Sequence, residues 1–133
     1  MEQAGRPAGE VYDWYRRGLD LLASGDAAAA AQVLGHAHAV EPGSKAIREA
    51  LARAQFNSRQ YSDSARTFES LVADNPADDY AHFGLGLALS RIGQHREAAP
   101  HLAMAVAMRP SSKHYANALR QVRATLRARE EME

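Results

Sequence analysis

The 133-residue sequence contains no cysteine, so it forms no disulfide and offers no thiol chemistry. It also has no net charge, because 16 lysines and arginines balance 16 aspartates and glutamates. Its overall charge therefore favours neither nucleic acid nor an acidic membrane as a partner. No apolar run approaches the roughly 20 residues that a membrane-spanning helix needs. The first ten residues have no apolar centre either, so we expect no signal peptide and a cytoplasmic protein.

Motifs for catalysis, cofactors and metals are missing as well. There is no G-x-x-x-x-G-K-[ST] phosphate loop, and Gly84 and Gly86 follow no strand, so they are not a dinucleotide fingerprint. The six histidines include no pair at i, i+4 that would share a helix face with a carboxylate. No serine, histidine and carboxylate stand in a recognisable nucleophile motif. We therefore expect a protein that is not an enzyme and that carries no cofactor or metal.

What the sequence does contain is a repeat. Pro42, Pro76 and Pro110 are spaced by 34 residues, without insertion or deletion. Small or large side chains recur with the same step in three further sets: Gly18, Ala52 and Gly86; Ala30, Ser64 and Ala98; Leu34, Phe68 and Leu102. A fixed period of this length is typical of architectures in which one helical unit is stacked on the next.

The repeated pattern resembles the tetratricopeptide repeat, W-x2-L-G-x2-Y…A-x3-F…P. The resemblance covers about Val11 to Ser112 and a following helix. The third repeat has His82 in place of the tryptophan and otherwise matches at Leu85, Gly86, Leu89, Ala98, Leu102 and Pro110. The first has Arg17 in place of a leucine and matches at Trp14, Gly18, Leu21, Ala30, Leu34 and Pro42. The second departs at Arg48 and Gln55 and matches at Leu51, Ala52, Phe68 and Pro76.

This resemblance implies an all-α fold of seven helices, a right-handed superhelical stack of antiparallel helix pairs. The small residues let paired helices approach closely, and each proline ends a second helix. The implied organisation is a flexible tail over residues 1–10 and a repeat domain over 11–129, followed by a short tail over 130–133. Within the domain we expect repeats at 11–44, 45–78 and 79–112, then a capping helix at 113–129.

Local signals predict where the helices begin and end. Gly25 suits a left-handed stop after a first helix that starts near Glu10. Asp26 and Ser44 suit the N-caps of the second and third helices, and Ser111 or Ser112 suits that of the seventh. The second helix is predicted over about Ala27–Val40, and the sixth over about His95–Met108. A proline inside the sixth, Pro100, is expected to remove one backbone hydrogen bond.

The last predicted helix has an apolar stripe on one side and a ridge of arginines on another. Tyr115, Leu119, Val122 and Leu126 lie at helical spacing and predict the face that packs on the domain. Arg120, Arg123 and Arg127 lie off that stripe. A nucleic-acid surface would need aromatic residues among these arginines, and Glu130, Glu131 and Glu133 follow them directly. The ridge is therefore interpreted as a solvated face.

The resemblance also implies a function, since ligands of such repeats usually lie in a concave groove lined by the first helix of each pair. Its aromatic, aliphatic and arginine side chains predict a peptide or helix of another protein as the ligand, apolar or weakly acidic in character. Ala50 and Gly84 would leave room there for a guest side chain. The predicted groove residues are Tyr12, Tyr15, Arg16, Leu19, Arg53, Phe56, Asn57, Tyr80, Phe83, Leu87 and Arg91.

One class of ligand can be argued against. Repeat proteins that hold the acidic C-terminal tails of heat-shock chaperones use lysines, asparagines and an arginine as a carboxylate clamp. The matching positions here provide no side chain that donates a charged hydrogen bond, being Tyr15, Leu19, Ala50, Tyr80 and Gly84. The sequence therefore predicts that such tails do not bind.

Two alternatives to the groove remain open. The first is a self-associating assembly protein whose homodimer buries Trp14 and the early tyrosines. The second is a small secretion chaperone, since some of these have three such repeats and the stretch GLGLALSRIGQ is loosely similar to them.

Overall fold

The computed structural model describes residues 6–133, with side chains from Gly9 onward, and these residues form seven α-helices and no strand. This confirms the predicted all-α class. The helices are α1 (Arg6–Ala23), α2 (Ala27–Val40), α3 (Lys45–Asn57), α4 (Tyr61–Asp74), α5 (Asp79–Arg91), α6 (His95–Met108) and α7 (Lys113–Met132).

The helix boundaries repeat with the period seen in the sequence. α2, α4 and α6 begin at Ala27, Tyr61 and His95, each 34 residues after the one before. The turns before them place Gly25, Arg59 and Gly93 at positive φ, with angles of 85°, 68° and 86°. Gly25 was predicted to take this left-handed conformation, which glycine adopts without strain. Arg59 was not, because the conformation is uncommon for a residue with a β-carbon.

Serine and aspartate side chains cap three of the helices. The Ser44 hydroxyl accepts a hydrogen bond from the Ile47 backbone N–H at 3.2 Å, and Ser112 accepts from Tyr115 in the same way. Asp78 accepts from Ala81 at 3.0 Å. Each cap satisfies a backbone donor that the first turn leaves without a helical partner. Asp26 is a correction: it precedes α2, but its side chain makes no capping hydrogen bond.

The two end helices are longer than predicted. α1 begins at Arg6 rather than near Glu10, so residues 6–10 of the predicted tail are helical, while residues 1–5 lie outside the described range. α7 continues to Met132 rather than ending at Arg129, which makes most of the predicted C-terminal tail helical. At the N-terminus, Pro7 falls in the first turn of α1, where a helix tolerates proline. At the C-terminus, Arg129 and Glu130 both have a high helix propensity.

The chain divides into two compact units, one up to Thr67 and one from Phe68 onward. In the first unit, α2 packs on both α1 and α3. Gly18 lies beside Leu34 and Trp14 beside His36, so α1 and α2 run antiparallel. The approach at Gly18 is so close that an added β-carbon would lie 2.4 Å from Leu34 Cγ. Gly18 thus has the packing role that the sequence predicted for the small residues of the repeat.

In the second unit, α6 packs on both α5 and α7. Gly86 takes the place that Gly18 has in the first unit, since a β-carbon there would lie 2.5 Å from Leu102 Cγ. The buried stripe of α7 is confirmed, because Tyr115, Leu119 and Val122 are less than a tenth exposed. The last two pack with Ala98 and Leu102 in one apolar core.

Candidate functional site

One accessible part of the predicted groove is the exposed face of α1, which carries Tyr12 and Arg16. Tyr12 is 57% exposed, and the Arg16 guanidinium donates to its hydroxyl oxygen at 3.1 Å. The guanidinium carbon also lies 5.9 Å from the centre of the Tyr12 ring. Hydrogen bonding to Tyr12 raises the pKa of Arg16 above its ordinary value. An aromatic ring and a cation are therefore presented together to solvent.

A shallow cavity of about 180 Å³ lies beside this pair, between α1 and the start of α3. Tyr12 and Tyr15 form one wall of it, and Ala46 and Ile47 form part of the other. The remaining lining residues are Val11, Glu41 and Ser44. The cavity is mostly apolar, with a carboxylate and a hydroxyl at its edge, which is the composition common in small binding sites.

Tyr15 and Leu19 are half-buried rather than free. Both pack against the apolar core of the first unit, which includes Leu34, Ala50 and Leu51. They belong to that core and keep one edge accessible, so they are not enclosed in the interior. Truncating either residue would therefore affect folding as well as any ligand.

The α3 residues of the predicted set separate into two kinds. Arg53 and Asn57 are exposed and lie four residues apart, so they share a helix face. Phe56 is half-buried, and its ring contacts Tyr61 edge to face, with centroids 5.2 Å apart. Edge-to-face contact is a favoured geometry for aromatic rings, so Phe56 has a packing role within the first unit.

In the second unit the predicted residues form part of an aromatic cluster. The Tyr80 ring lies 6.0 Å from Phe68 and 6.5 Å from Phe83, and Phe83 lies 4.6 Å from Tyr115. Tyr80 and Phe83 are half-buried, whereas Phe68 and Tyr115 are buried. The sequence did not link these four rings, because they come from three helices. The period alone could have indicated Phe68, which takes the place of Leu34 and Leu102.

The expectation that Ala50 and Gly84 leave free space in the groove is wrong. An added β-carbon on Gly84 would lie 2.3 Å from the Phe68 ring, so the protein's own side chain already fills this position. Ala50 is only 2% exposed and packs in the core of the first unit. Neither residue leaves room for a guest. Leu87 is half-buried against the core of the second unit, and Arg91 is exposed.

Asp79 ties the start of α5 to α7. Its Oδ2 accepts from the Tyr115 hydroxyl and from Arg109 Nε, each at 2.8 Å. The bond from Arg109, and then that from Tyr115, lowers the pKa of Asp79 below its ordinary value. Burial, and then the carboxylate, raises the pKa of Tyr115 to about 12. This arrangement holds the Phe83 side of the aromatic cluster in place.

A pair of histidines in the second unit was not predicted. His82 Nε2 lies 2.8 Å from the Pro76 carbonyl oxygen, and His82 Nδ1 lies 3.0 Å from His101 Nδ1. Because a carbonyl only accepts, His82 carries its proton on Nε2 and His101 donates from Nδ1. Burial lowers the pKa of His101, His82 lowers it further, and Glu69 acts in the opposite direction. Across residues 6–133 no three histidine, aspartate or glutamate side chains are grouped as a metal site needs.

Trp14, which the homodimer alternative placed at an interface, packs inside its own unit. It is half-buried against Val11, Ala37 and Ile47, and its ring lies 5.9 Å from that of His36. A wider cavity of about 500 Å³ shares no residue with the predicted groove. Its lining includes both basic and acidic side chains, namely Arg96, Glu97, Arg129 and Glu130.

Known proteins similar to this chain are also built from repeated helix pairs. Residues 21–82 match the family model for the tetratricopeptide repeat. This segment therefore has the sequence pattern of tetratricopeptide repeats, and the fold is that of a tetratricopeptide-repeat stack. None of the curated proteins is significantly similar to it in sequence. In the part of the chain that the structure describes, no helix has the length and apolar character needed to cross a membrane.

Three solved structures illustrate the likeness of this tetratricopeptide-repeat fold. The first repeat domain of Spaghetti (RPAP3), bound to the HSP90 peptide SRMEEVD, has a TM-score of 0.81 and 17% identity, covering 89% of this chain and 94% of that one. MamA from Desulfovibrio magneticus RS-1 has a TM-score of 0.83 and 23% identity, covering 87% and 66%. The C-terminal repeat domain of a Plasmodium falciparum FK506-binding protein has a TM-score of 0.85 and 14% identity, covering 94% and 93%. At these identities the likeness concerns the fold.

Proposed function

We propose that this tetratricopeptide-repeat protein is a non-catalytic, cytoplasmic binding module. It holds a peptide or a helical segment of another protein in a concave groove lined by the first helices of its repeats. Apolar burial drives the capture, and the exposed arginines Arg16, Arg53 and Arg91 position the segment. The ligand is apolar or weakly acidic, because arginine side chains pair with carboxylates or stack on aromatic rings.

The observation that carries the proposal is the cavity of about 180 Å³ beside α1, with Tyr12 and Tyr15 in its wall. Tyr12 is more than half exposed, so its aromatic ring faces solvent. Its hydrogen bond with Arg16 restricts the rotation of the tyrosine side chain. Tyrosine and arginine are the residue types enriched in binding hot spots. A guest side chain entering this cavity would bury both rings without displacing the core.

The solved relative with an HSP90 peptide supports a polypeptide as the ligand. In that domain of Spaghetti, a fold like this one accommodates a short segment of another protein. The identity of 17% carries only the fold to this chain, so the ligand of the relative is not the expected ligand here. The positions that match the clamp hold tyrosine, leucine, alanine and glycine in this chain, none of which carries a charge.

Selecting peptides on the purified protein provides the test. A random peptide library is panned on the whole chain, and the dissociation constant of the best binder is measured by calorimetry. Tyr12→Ala is expected to weaken binding at least about tenfold, as loss of a hot-spot ring does. Val40→Ala is the matched control, since Val40 is similarly exposed, at 48%, but lies on the second helix α2. Equal effects of both substitutions, or none of either, would contradict the proposal.

A further inference from the structure

The 34-residue register identifies one helix face that differs from its counterparts. The small residues Gly18, Ala52 and Gly86 are followed at the same step by Arg120. At Gly86 the second helix of the pair crosses so closely that an added β-carbon would lie 3.3 Å from the Ala98 carbonyl oxygen. An arginine at this register forbids such a crossing, because its side chain occupies the space that glycine leaves open.

The turn register shows the same difference. Gly25, Arg59 and Gly93, which take positive φ and start the return into a second helix, are followed at the same step by Arg127. α7 instead stays helical through Arg127 to Met132. Within residues 6–133, therefore, no second helix returns over the Arg120 face of α7. In α1 and α5 the corresponding face is packed by α2 and α6.

This uncovered face borders a groove of about 360 Å³ between α6 and α7. Its floor is apolar and consists of Val106, Ala116 and Leu119, and its rim consists of Arg120, Arg123 and Arg127. No acidic side chain lines it. Arg120 donates to Asn117, whereas Arg123 and Arg127 form no hydrogen bond or ion pair with any described residue. Three exposed cations thus border an apolar floor in a groove that no acidic side chain lines.

We propose that this face binds an acidic amphipathic helix of a partner protein. Arg120, Arg123 and Arg127 follow the i, i+3, i+7 spacing of one helix face, and they span about 10 Å along α7. Carboxylates at the same spacing on a partner helix meet all three, and an adjacent apolar side chain covers Val106 and Ala116. The occupant is a helix because only a helix repeats carboxylates at the i, i+3, i+7 spacing that these arginines have.

The length of the acidic stretch on the partner is also limited. Glu130 and Glu131 follow Arg127 within the next turn of α7 and repel further carboxylates. The matching segment therefore has its acidic residues within about two helical turns and is neutral or basic beyond them. This surface is separate from the α1 cavity, so the inference does not rest on the proposed groove function.

Synthetic helices provide the probe. One peptide of about 18 residues, long enough to form a helix in water, carries glutamates at i, i+3 and i+7 beside two leucines. A second peptide has the same composition, with its glutamates spread around the helix. Binding to the whole chain is measured by fluorescence anisotropy. The first peptide is expected to bind at least about tenfold more tightly than the second, and more weakly as salt rises.

Paired charge reversals identify the face. Arg123→Glu with Arg127→Glu is expected to abolish binding of the first peptide. Arg96→Glu with Arg129→Glu changes the net charge equally but alters the other cavity, and it is expected to leave binding within about twofold. Circular dichroism checks that both variants remain helical.

Other outcomes would overturn the inference. Equal binding of the two peptides would show attraction by bulk charge only, and equal loss in both double variants would show the same. Light scattering that finds a dimer of the chain alone, made monomeric by the Arg123 and Arg127 reversals, would assign the face to a second copy. Tighter binding of a single-stranded oligonucleotide at physiological salt, lost in the same variant, would assign it to nucleic acid.

Discussion

The Phe68 ring occupies the space over Gly84, so close that a β-carbon on that glycine would lie 2.3 Å from it. Phe68 is 2% exposed and packs edge to face on Tyr80, so it cannot move aside freely. The packing of Phe68, in the preceding helix α4, thus requires a glycine at position 84. In the register of the repeat, it supports the aromatic cluster rather than opening the groove.

This contact predicts opposite results for two glycine substitutions. Gly84→Ala is expected to lower the free energy of unfolding by about 1–3 kcal/mol, because it overpacks the core. Gly35→Ala is the control: Gly35 lies inside α2 with nothing within 4 Å of an added β-carbon, so alanine should stabilise by about 0.5–1 kcal/mol. Urea denaturation measures both. A stabilising Gly84→Ala would show that Phe68 has room to move.

The histidine pair predicts a pH dependence of stability. Burial and His82 lower the pKa of His101, so the unfolded chain binds a proton at a higher pH than the folded chain does. The stability from neutral His101 is present above its ordinary pKa of about 6.5 and is lost as the pH falls through the folded value. His101→Gln, whose amide can still donate to His82, is expected to flatten this loss.

Melting temperatures from about pH 8 to pH 5 check the prediction. His114→Gln, at an exposed histidine of α7, serves as the control and should keep the wild-type slope. If His101→Gln loses as much stability on acidification as the wild type does, the histidine pair is not the cause.

The contacts of Asp79 predict that its two donors differ in importance. Tyr115 is buried, so Tyr115→Phe leaves a carboxylate without its hydroxyl partner and is expected to cost about 1–2 kcal/mol of unfolding free energy. The Arg109 side chain is 60% exposed, so Arg109→Ala is expected to cost less unfolding free energy than Tyr115→Phe. Chemical denaturation of both variants measures the difference. The reverse order would show that the ion pair, not the tyrosine, anchors α5.

The chaperone-tail ligand of the similar Spaghetti domain is expected not to bind. The clamp positions hold Tyr15, Leu19, Ala50, Tyr80 and Gly84, and two of these are buried under the protein's own side chains. Nothing there donates a charged hydrogen bond to a terminal carboxylate. Calorimetry with SRMEEVD should give no measurable heat of binding. A micromolar dissociation constant would contradict the conclusion that these five positions cannot hold a terminal carboxylate.

The residues that recur every 34 positions made the fold predictable. Contacts between residues far apart in the sequence could not be predicted in this way. Pro42, Pro76 and Pro110 end helices by their own covalent geometry, so α2 and α6 were predicted with the bounds they have. The turn at Arg59 was not foreseen, since its left-handed backbone is imposed by its place in the repeat. α7 was expected to end at Arg129 but continues to Met132, because the charged residues Glu130 and Glu131 do not stop a helix.

Side-chain contacts between helices were the least predictable feature. His82 was noted as a replacement for tryptophan, but its partner His101 lies 19 residues away on α6, and nothing local links them. The sequence likewise placed Gly84 in the groove without revealing that Phe68 fills the space over it. Tyr12, Arg53 and Asn57 are exposed, as a binding surface requires. The sequence pattern did not show that their predicted groove neighbours Tyr15 and Leu19 pack against the core of the first unit.

The proposal that the first helices form the binding surface is tested most directly by amide chemical-shift mapping. The isotope-labelled chain is titrated with the best peptide from the selection, and the backbone amides that shift are assigned. The account predicts that the largest shifts lie on α1, α3 and α5, at and beside Tyr12, Tyr15, Arg53 and Phe83. Shifts confined to the second helices α2, α4 and α6 would contradict it.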